Sequence, residues 1–159
     1  MTTSASSGPF SIDPIGVVSS NRSEAIDDEW GGVVATITLR SPLGPDSLRG
    51  LDAFSHVEVI YLFHRLLPAS LCVGSRVPRS NPAWPEVGIL AQRAKDRPNR
   101  LGLSTCELVD VAGRILRVRG LDAIDGTPVV DIKPYMTEFA PRGAVRQPRW
   151  SHELMANYF

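Results

Sequence analysis

Apolar and polar residues alternate with a period of two along most of the chain, the pattern of half-buried strands. In "VVATITL" (33–39), Val33, Ala35, Ile37 and Leu39 share one face, and Val34, Thr36 and Thr38 take the other. "FSHVEVIYLFH" (54–64) likewise puts Val57, Val59, Tyr61 and Phe63 on one side. "EVGILAQR" (86–93), "LGLSTCELVDV" (101–111) and "RILRVRGL" (114–121) continue the series, with "VAGR" as a hairpin-like turn between the last two. "IDPIGVV" (12–18) and "TPVVDI" (127–132) add two more. Helical signals are few. "GPDSLRGLDAF" can hold a turn or two after Asp46, and "PRWSHELMANYF" predicts a short helix capped at Ser151 with Leu154 and Met155 inward. About seven short strands closing on themselves predict a mainly β protein, a small closed β-barrel with short helices and a C-terminal helical tail.

Composition narrows the class. The sequence of 159 residues reads most simply as one domain over 12–159, preceded by a disordered tail over 1–11, because "MTTSASSGPF" has neither a basic nor an apolar leader region. Seventeen basic residues balance seventeen acidic ones, so a polyanion would have to be met by a local patch rather than a global field. No apolar run approaches the roughly 20 residues of a membrane span. Cys72 and Cys106 lack CxxC spacing and fit a reduced, cytoplasmic protein, although one disulfide stays open.

Candidate chemistry concentrates in three stretches. His56 and His64 share a strand face but lie roughly 26 Å apart, too far for one metal. His64 ends its strand beside Arg65 and a long Arg/Pro/Ser/Asn-rich connection (65–85), where binding elements concentrate. "QRAKDRPNRLG" (92–102) sets Arg93, Lys95, Arg97 and Arg100 against Asp96, and Gly102 then allows another chain or a ligand to approach closely. "GLDAIDGTPVVDIKPY" (120–135) carries Asp122, Asp125 and Asp131. Their spacing matches no calcium loop and strands would scatter them, so no metal site is expected. Asp131 and Lys133 share a strand face ahead of Tyr135, an arrangement suited to positioning or proton handling. No GxGxxG, Walker, GxSxG or HExxH motif is present, which leaves nicotinamide dehydrogenases, P-loop enzymes and the common hydrolases unsupported.

Taken in order, "PIGVV", "LDAFSHVEVIYLFH", "VGILAQR", "RPNRLGLS" and "GLDAIDGTPVVDIKPY" resemble the motifs of the TsaA-like, TrmO-type S-adenosylmethionine-dependent methyltransferases, over about residues 13–136. The resemblance implies a compact barrel acting as a homodimer with cofactor pockets near the subunit interface. It also implies methylation of N6 of threonylcarbamoyl-adenosine beside the tRNA anticodon. By similarity, S-adenosylmethionine would touch His64, Arg65, Arg93, Leu103, the Asp122–Ile124 turn, and Glu29 and Trp30 of "DDEWG". On that reading Asp122 holds the nucleoside and Arg93 meets the methionine carboxylate. Asp131, Lys133 and Tyr135 orient the acceptor or relay its proton, while Lys95, Arg97 and Arg100, with Arg142, Arg146 and Arg149 of the tail, grip phosphates.

The chain departs from the tRNA-modifying pattern where Arg100 replaces the second proline of "RPNPIG" and where acidic "SEAIDDEWGG" replaces a "PRQ" element. A small-molecule methyl acceptor enclosed by "DDEW" and the tail, and a non-catalytic barrel binding cofactor or RNA, are the alternative readings. The tail, "EFAPRGAVRQPRWSHELMANYF", would fold over the barrel.

Overall fold

The computed structural model describes residues 8–159. The expected tail over 1–11 therefore lies largely outside the described residues. Six antiparallel strands close into a barrel in the order β1 (Gly16–Ser20), β2 (Val34–Leu39), β7 (Ile115–Arg119), β6 (Leu101–Ala112), β3 (His56–Leu62), β8 (Pro128–Pro134), and β8 returns to β1. The period-two faces fall as the sequence predicts: Ala35, Ile37 and Leu39, then Val57, Val59 and Tyr61, point into the core with Leu116, Val118 and Val129. Their β-branched and aromatic bulk fills a barrel too narrow for anything but side chains.

The predicted turn at "VAGR" is the β6–β7 hairpin, where Gly113 takes a left-handed φ of 61° that an L side chain adopts only under strain. Two register shifts bend the wall, one between Ile60 and Tyr61 against β8 and one between Leu108 and Asp110 against β7. Bulges of this kind re-aim side chains at barrel rims. Beyond Leu108, β6 belongs to β7, whereas its first half, 101–106, pairs among the described residues with β3 alone.

Two expectations need correction. "EVGILAQR" is not a barrel strand: only Val87–Gly88 (β5) is extended, pairing with Ser75–Arg76 (β4) in a separate ribbon, and a single 3-10 turn follows at Ile89–Ala91. Its apolar run carries one buried residue, Ile89, while Leu90 is exposed, so no second face exists to hold a strand in the wall. The tail helix α1 runs from Arg149 to Met155, with Pro148 at its N-cap. Ser151 is not the cap; it lies inside the first turn and its hydroxyl donates to the Pro148 carbonyl at 2.6 Å. Pro148 has no N–H to give and suits this boundary. Among the described residues, no helix is long and apolar enough to cross a membrane.

The long connection between β3 and β6 folds on itself. Arg76 and Asp96 form a two-bonded ion pair, the Cys72 amide donates to the Asp96 carbonyl at 2.8 Å, and the buried Gln92 amide donates to Arg76 and Val87 carbonyls, both at 3.0 Å. This loop carries Arg79 and Arg93 to the barrel mouth.

Candidate functional site

The site grows from the inner wall of β3 and β6. Tyr61 is buried, and its hydroxyl needs partners inside the core. It lies 3.1 Å from the Ser104 hydroxyl and donates toward Asp122, 2.9 Å from Oδ1 and 3.2 Å from the backbone carbonyl. Ser104 also donates to Asp122 Oδ1. The second carboxylate oxygen, Oδ2, accepts from the Tyr158 hydroxyl at 2.6 Å. Asp122 is thus a carboxylate ringed by three hydroxyl donors from three distant parts of the chain.

Burial and the Asp122 charge both push the Tyr61 and Tyr158 phenols far above the ordinary tyrosine value, so both remain protonated donors. Cys106, the next inward residue on β6 after Ser104, is a free thiol that burial pushes up to about 12, which leaves it unreactive as a nucleophile. Cys72 is free as well, so the open question of a disulfide closes.

Around this centre the loops converge. Arg93 donates to the carbonyl of Leu103, on the β6 half that lacks a second strand partner. Arg79, held at a left-handed φ of 48°, makes two bonds to Asp28, at 2.8 and 3.1 Å. Both arginines act electrostatically on Tyr158. On the other side, Arg22 stacks over the Trp30 ring at 3.9 Å and donates to the carbonyls of Asp28 and Glu29, which shapes the acidic "DDEW" loop. That loop pairs with the tail: the Glu29 and Trp30 amides donate to Asn157 and Tyr158 carbonyls at 2.9 and 2.7 Å. The tail does fold over the barrel. Beside it opens a cleft of about 580 Å³ lined by Ile26, Asp28, Glu29, Gly31, Asn157 and Phe159 among others.

The structure brings some of the sequence candidates together and separates others. Arg93 meets the backbone of Leu103, and the next residue, Ser104, meets Asp122. His64 and Arg65 sit at the neighbouring strand end, with the His64 ring against Gly126 (a Cβ there would be 3.8 Å from Nε2) and Arg65 donating to the Ser23 carbonyl at 2.6 Å. Ile124 is in the adjoining turn, its carbonyl accepting from the Thr127 hydroxyl at 2.7 Å. Glu29 lines the cleft and is exposed. Trp30 is buried, its indole N–H spent on the Ile26 carbonyl at 3.2 Å, so it braces the loop.

Asp131 and Lys133 form a 2.7 Å ion pair on the outer wall of β8, level with Ile60 and Glu58 of β3, with Tyr135 just beyond. Through Ile60 they share a row with the outward side chain of Leu103, but they do not reach Asp122. Arg97 and Arg100 are spent on backbone carbonyls of Gln92 and Leu66, at 2.9 and 3.1 Å, while Lys95 projects into solvent. Asp125 is a turn residue whose carboxylate accepts from the Ser20 amide at 3.0 Å.

The sequence reading missed Tyr61, Ser104, Tyr158 and Arg79. One signal was available. In "LGLSTC" the apolar Leu101 and Leu103 alternate with Gly102, Ser104 and Cys106, and it is the small and polar set that faces inward, the inverse of an ordinary wall strand.

His64 gives the site a pH signature. Burial, and then the neighbouring Arg65 guanidinium, hold its imidazole below the ordinary value of 6.5. Below that pH the unfolded chain takes up a proton that the folded chain resists, so stability is whole above 6.5 and declines as pH falls further. Denaturant unfolding from roughly pH 7 to pH 5 is expected to show this decline, and His64→Gln is expected to flatten it. An unchanged slope in the variant removes His64 as its source.

With this geometry in view, the relationships of the chain become informative. The model of the tRNA-methyltransferase O N-terminal domain matches residues 28–140. A probable S-adenosyl-L-methionine-binding protein of Methanothermobacter thermautotrophicus is 38% identical over 135 residues, covering 83% of this chain and 94% of that one. A probable S-adenosyl-L-methionine-binding protein of Pyrococcus abyssi is 42% identical over 101 residues, 64% of this chain and 52% of its own length. The human tRNA (adenine(37)-N6)-methyltransferase is 38% identical over 111 residues, 70% of this chain but 25% of the human one. The crystal structure of TrmO from Pseudomonas aeruginosa superposes with a TM-score of 0.70 at 29% identity, covering 87% of this chain and 62% of that one. The chain therefore spans about half the length of the Pyrococcus relative and a quarter of the human one. The family model accounts for most of the chain, including every strand of the barrel but β1, and the chain belongs to the tRNA-methyltransferase O N-terminal domain family.

Proposed function

We propose that this chain binds S-adenosylmethionine at the barrel mouth and transfers its methyl group, with the N6 nitrogen of threonylcarbamoyl-adenosine in tRNA as the acceptor. The observation that carries the reading is the Asp122 cluster beside Arg93: a carboxylate fixed by protein hydroxyls next to a guanidinium at a strand edge. This donor set fits the ligand's two ends. A carboxylate suits ribose hydroxyls, and a guanidinium fork suits an amino-acid carboxylate. Relatives named as S-adenosyl-L-methionine-binding proteins and as tRNA (adenine(37)-N6)-methyltransferases support both halves of the proposal.

When bound, the cofactor supplies an electrophilic methyl on a sulfonium, so the protein needs no Lewis acid or covalent intermediate. Its task is alignment, which can lower a barrier by roughly 7–11 kcal/mol in favourable systems. Asp122, Arg93 and the backbone at Leu103 hold the two ends. His64, kept neutral by burial, adds no charge to repel a sulfonium. Lys133 is held protonated by Asp131, so of that outer pair only Asp131 can accept a proton from the acceptor. Asp131 lies on the outer wall with the half-exposed Leu101 and Leu103, which supports a homodimer in which this wall faces the partner's pocket.

A small-molecule acceptor is the second reading. It is favoured by the internal use of Arg97 and Arg100 and by the acidic Asp28 and Glu29 that line the cleft. One experiment separates the two. Incubated with the methyl donor and tRNA carrying threonylcarbamoyl-adenosine, the protein is expected to add one methyl mass to that nucleoside. The rate should fall with salt along a log–log slope of roughly −0.7 to −0.9 per phosphate contacted. No mass gain at any salt, with donor still bound, shifts the acceptor to a small molecule.

A further inference from the structure

The tail does more than close one end of the barrel. Helix α1 and the four residues after it touch the molecule at a handful of points. The Glu153 carboxylate accepts from the Trp84 indole at 2.8 Å, Asn157 and Tyr158 offer their carbonyls to Glu29 and Trp30, and the Phe159 backbone lies so close to Gly31 that a Cβ there would stand 2.7 Å from its carbonyl carbon. The fifth contact is the Tyr158 phenol on Asp122. No residue of α1 is fully buried, and the helix has only seven residues. A short element whose Trp150, Leu154 and Met155 are only half-buried, and which makes so few bonds, belongs to the low-stability end of a structure.

Its penultimate side chain, by contrast, ends on the half-buried Asp122 carboxylate. Asp122 Oδ1 is taken by Tyr61 and Ser104 from inside the barrel, so Oδ2 is the oxygen left to face a ligand, and Tyr158 occupies it. The open cleft is lined by Asn157 and Phe159 and not by Asp122, Arg93 or His64. The tail thus stands between solvent and the Asp122 oxygen that a ribose would need.

We propose that residues 149–159 are a displaceable cover, with the Tyr158 phenol holding on Asp122 the place of a ligand hydroxyl. This rests on the reading of Asp122 as the nucleoside-binding carboxylate. The phenol shares one feature with a ribose, a hydroxyl that donates to a carboxylate oxygen, and it makes that bond to Asp122 Oδ2 at 2.6 Å. Binding then requires the cover to leave, and the apparent affinity is the intrinsic one reduced by the fraction of molecules already open. Tyr158→Phe keeps the ring and removes the competing bond, so it raises that fraction.

The test uses S-adenosylhomocysteine as the probe, with calorimetry and amide hydrogen exchange on the whole chain. Tyr158→Phe is expected to tighten binding about tenfold, the usual scale for one hydrogen bond to a charged group. Truncation after Met155 is expected to tighten it at least as much. In the unaltered protein, the probe is expected to speed exchange at the Glu29 and Trp30 amides, whose partners sit on the cover. Binding that weakens or stays level in Tyr158→Phe, or probe-induced protection of those two amides, overturns the cover while leaving the site standing. Silence from the unaltered protein, the variant and the truncation alike overturns the nucleoside reading of Asp122, and the cover with it. Silence from the unaltered protein alone, with binding by the truncation, is the strongest support.

Discussion

Replacing Asp122 with alanine is expected to cost about 3 kcal/mol of stability and to abolish binding of S-adenosylhomocysteine. Three hydroxyls converge on this carboxylate, and charge-assisted bonds of that kind are each worth about 1.5–3 kcal/mol. The loss is not their sum. Tyr61 and Ser104 still have each other at 3.1 Å, and Tyr61 keeps the Asp122 backbone carbonyl at 3.2 Å. Tyr158 loses its partner altogether but stands at the rim, where water replaces it. What remains is the charge term, because the 120–127 segment keeps its backbone bonds to Val18, Arg22 and Val33 and its buried Leu121 and Ala123. For a chain of this size, 3 kcal/mol corresponds to a fall in Tm of roughly 6–12 °C. Asp122→Asn keeps an acceptor oxygen and should lose about half as much. Thermal unfolding that moves by less than about 2 °C in the alanine variant would mean the three hydroxyls are indifferent to the charge they surround.

Much of the barrel could be read from the chain because its information is local. The alternation of Ala35, Ile37 and Leu39, or of Val57, Val59 and Tyr61, specifies both an extended conformation and the face that must be buried. The Gly113 turn likewise needs only its own neighbours. "EVGILAQR" misled because an apolar run from Val87 to Ala91, broken only by Gly88, satisfies a strand template without saying whether a second strand exists to receive it. The ribbon it joins depends on Arg76 and Asp96, twenty positions apart.

The site divides along the same line. His64, Arg93 and Asp122 were accessible through their motifs. Tyr158 was not, since nothing within "MANYF" hints that its phenol ends on a carboxylate 36 positions earlier. Arg97 and Arg100 show the opposite failure. A basic cluster reads as a phosphate grip until the carbonyls of Leu103, Gln92 and Leu66 are seen to accept from all three of its guanidinium groups. Charge is visible in sequence, whereas its satisfaction is a property of the fold.

Gly102→Ala is expected to be as damaging as loss of the Asp122 carboxylate, although it adds one methyl group. The sequence marks Gly102 as a point of close approach for another chain or a ligand; the approach comes instead from the cross-strand partner, Tyr61. A Cβ on Gly102 would stand 2.3 Å from Cε2 and 2.4 Å from Cζ of that ring. The ring cannot yield easily: Tyr61 is 1% exposed and packs edge-on to Phe63 at 5.4 Å. Overpacking a filled core costs about 1–3 kcal/mol, and a displaced ring also pulls its hydroxyl from Ser104 and Asp122. The total should reach about 3 kcal/mol and be accompanied by lost binding of S-adenosylhomocysteine, because Asp122 loses its inner support. Gly88→Ala is the matched control: nothing lies within 4 Å of its added carbon, and it should be near neutral. If the ring is the cause, Gly102→Ala on a Tyr61→Ala background should cost far less than on the unaltered protein, a coupling that a double-mutant cycle of unfolding free energies measures directly. Simple additivity of the two substitutions would place the strain elsewhere in the β3–β6 wall.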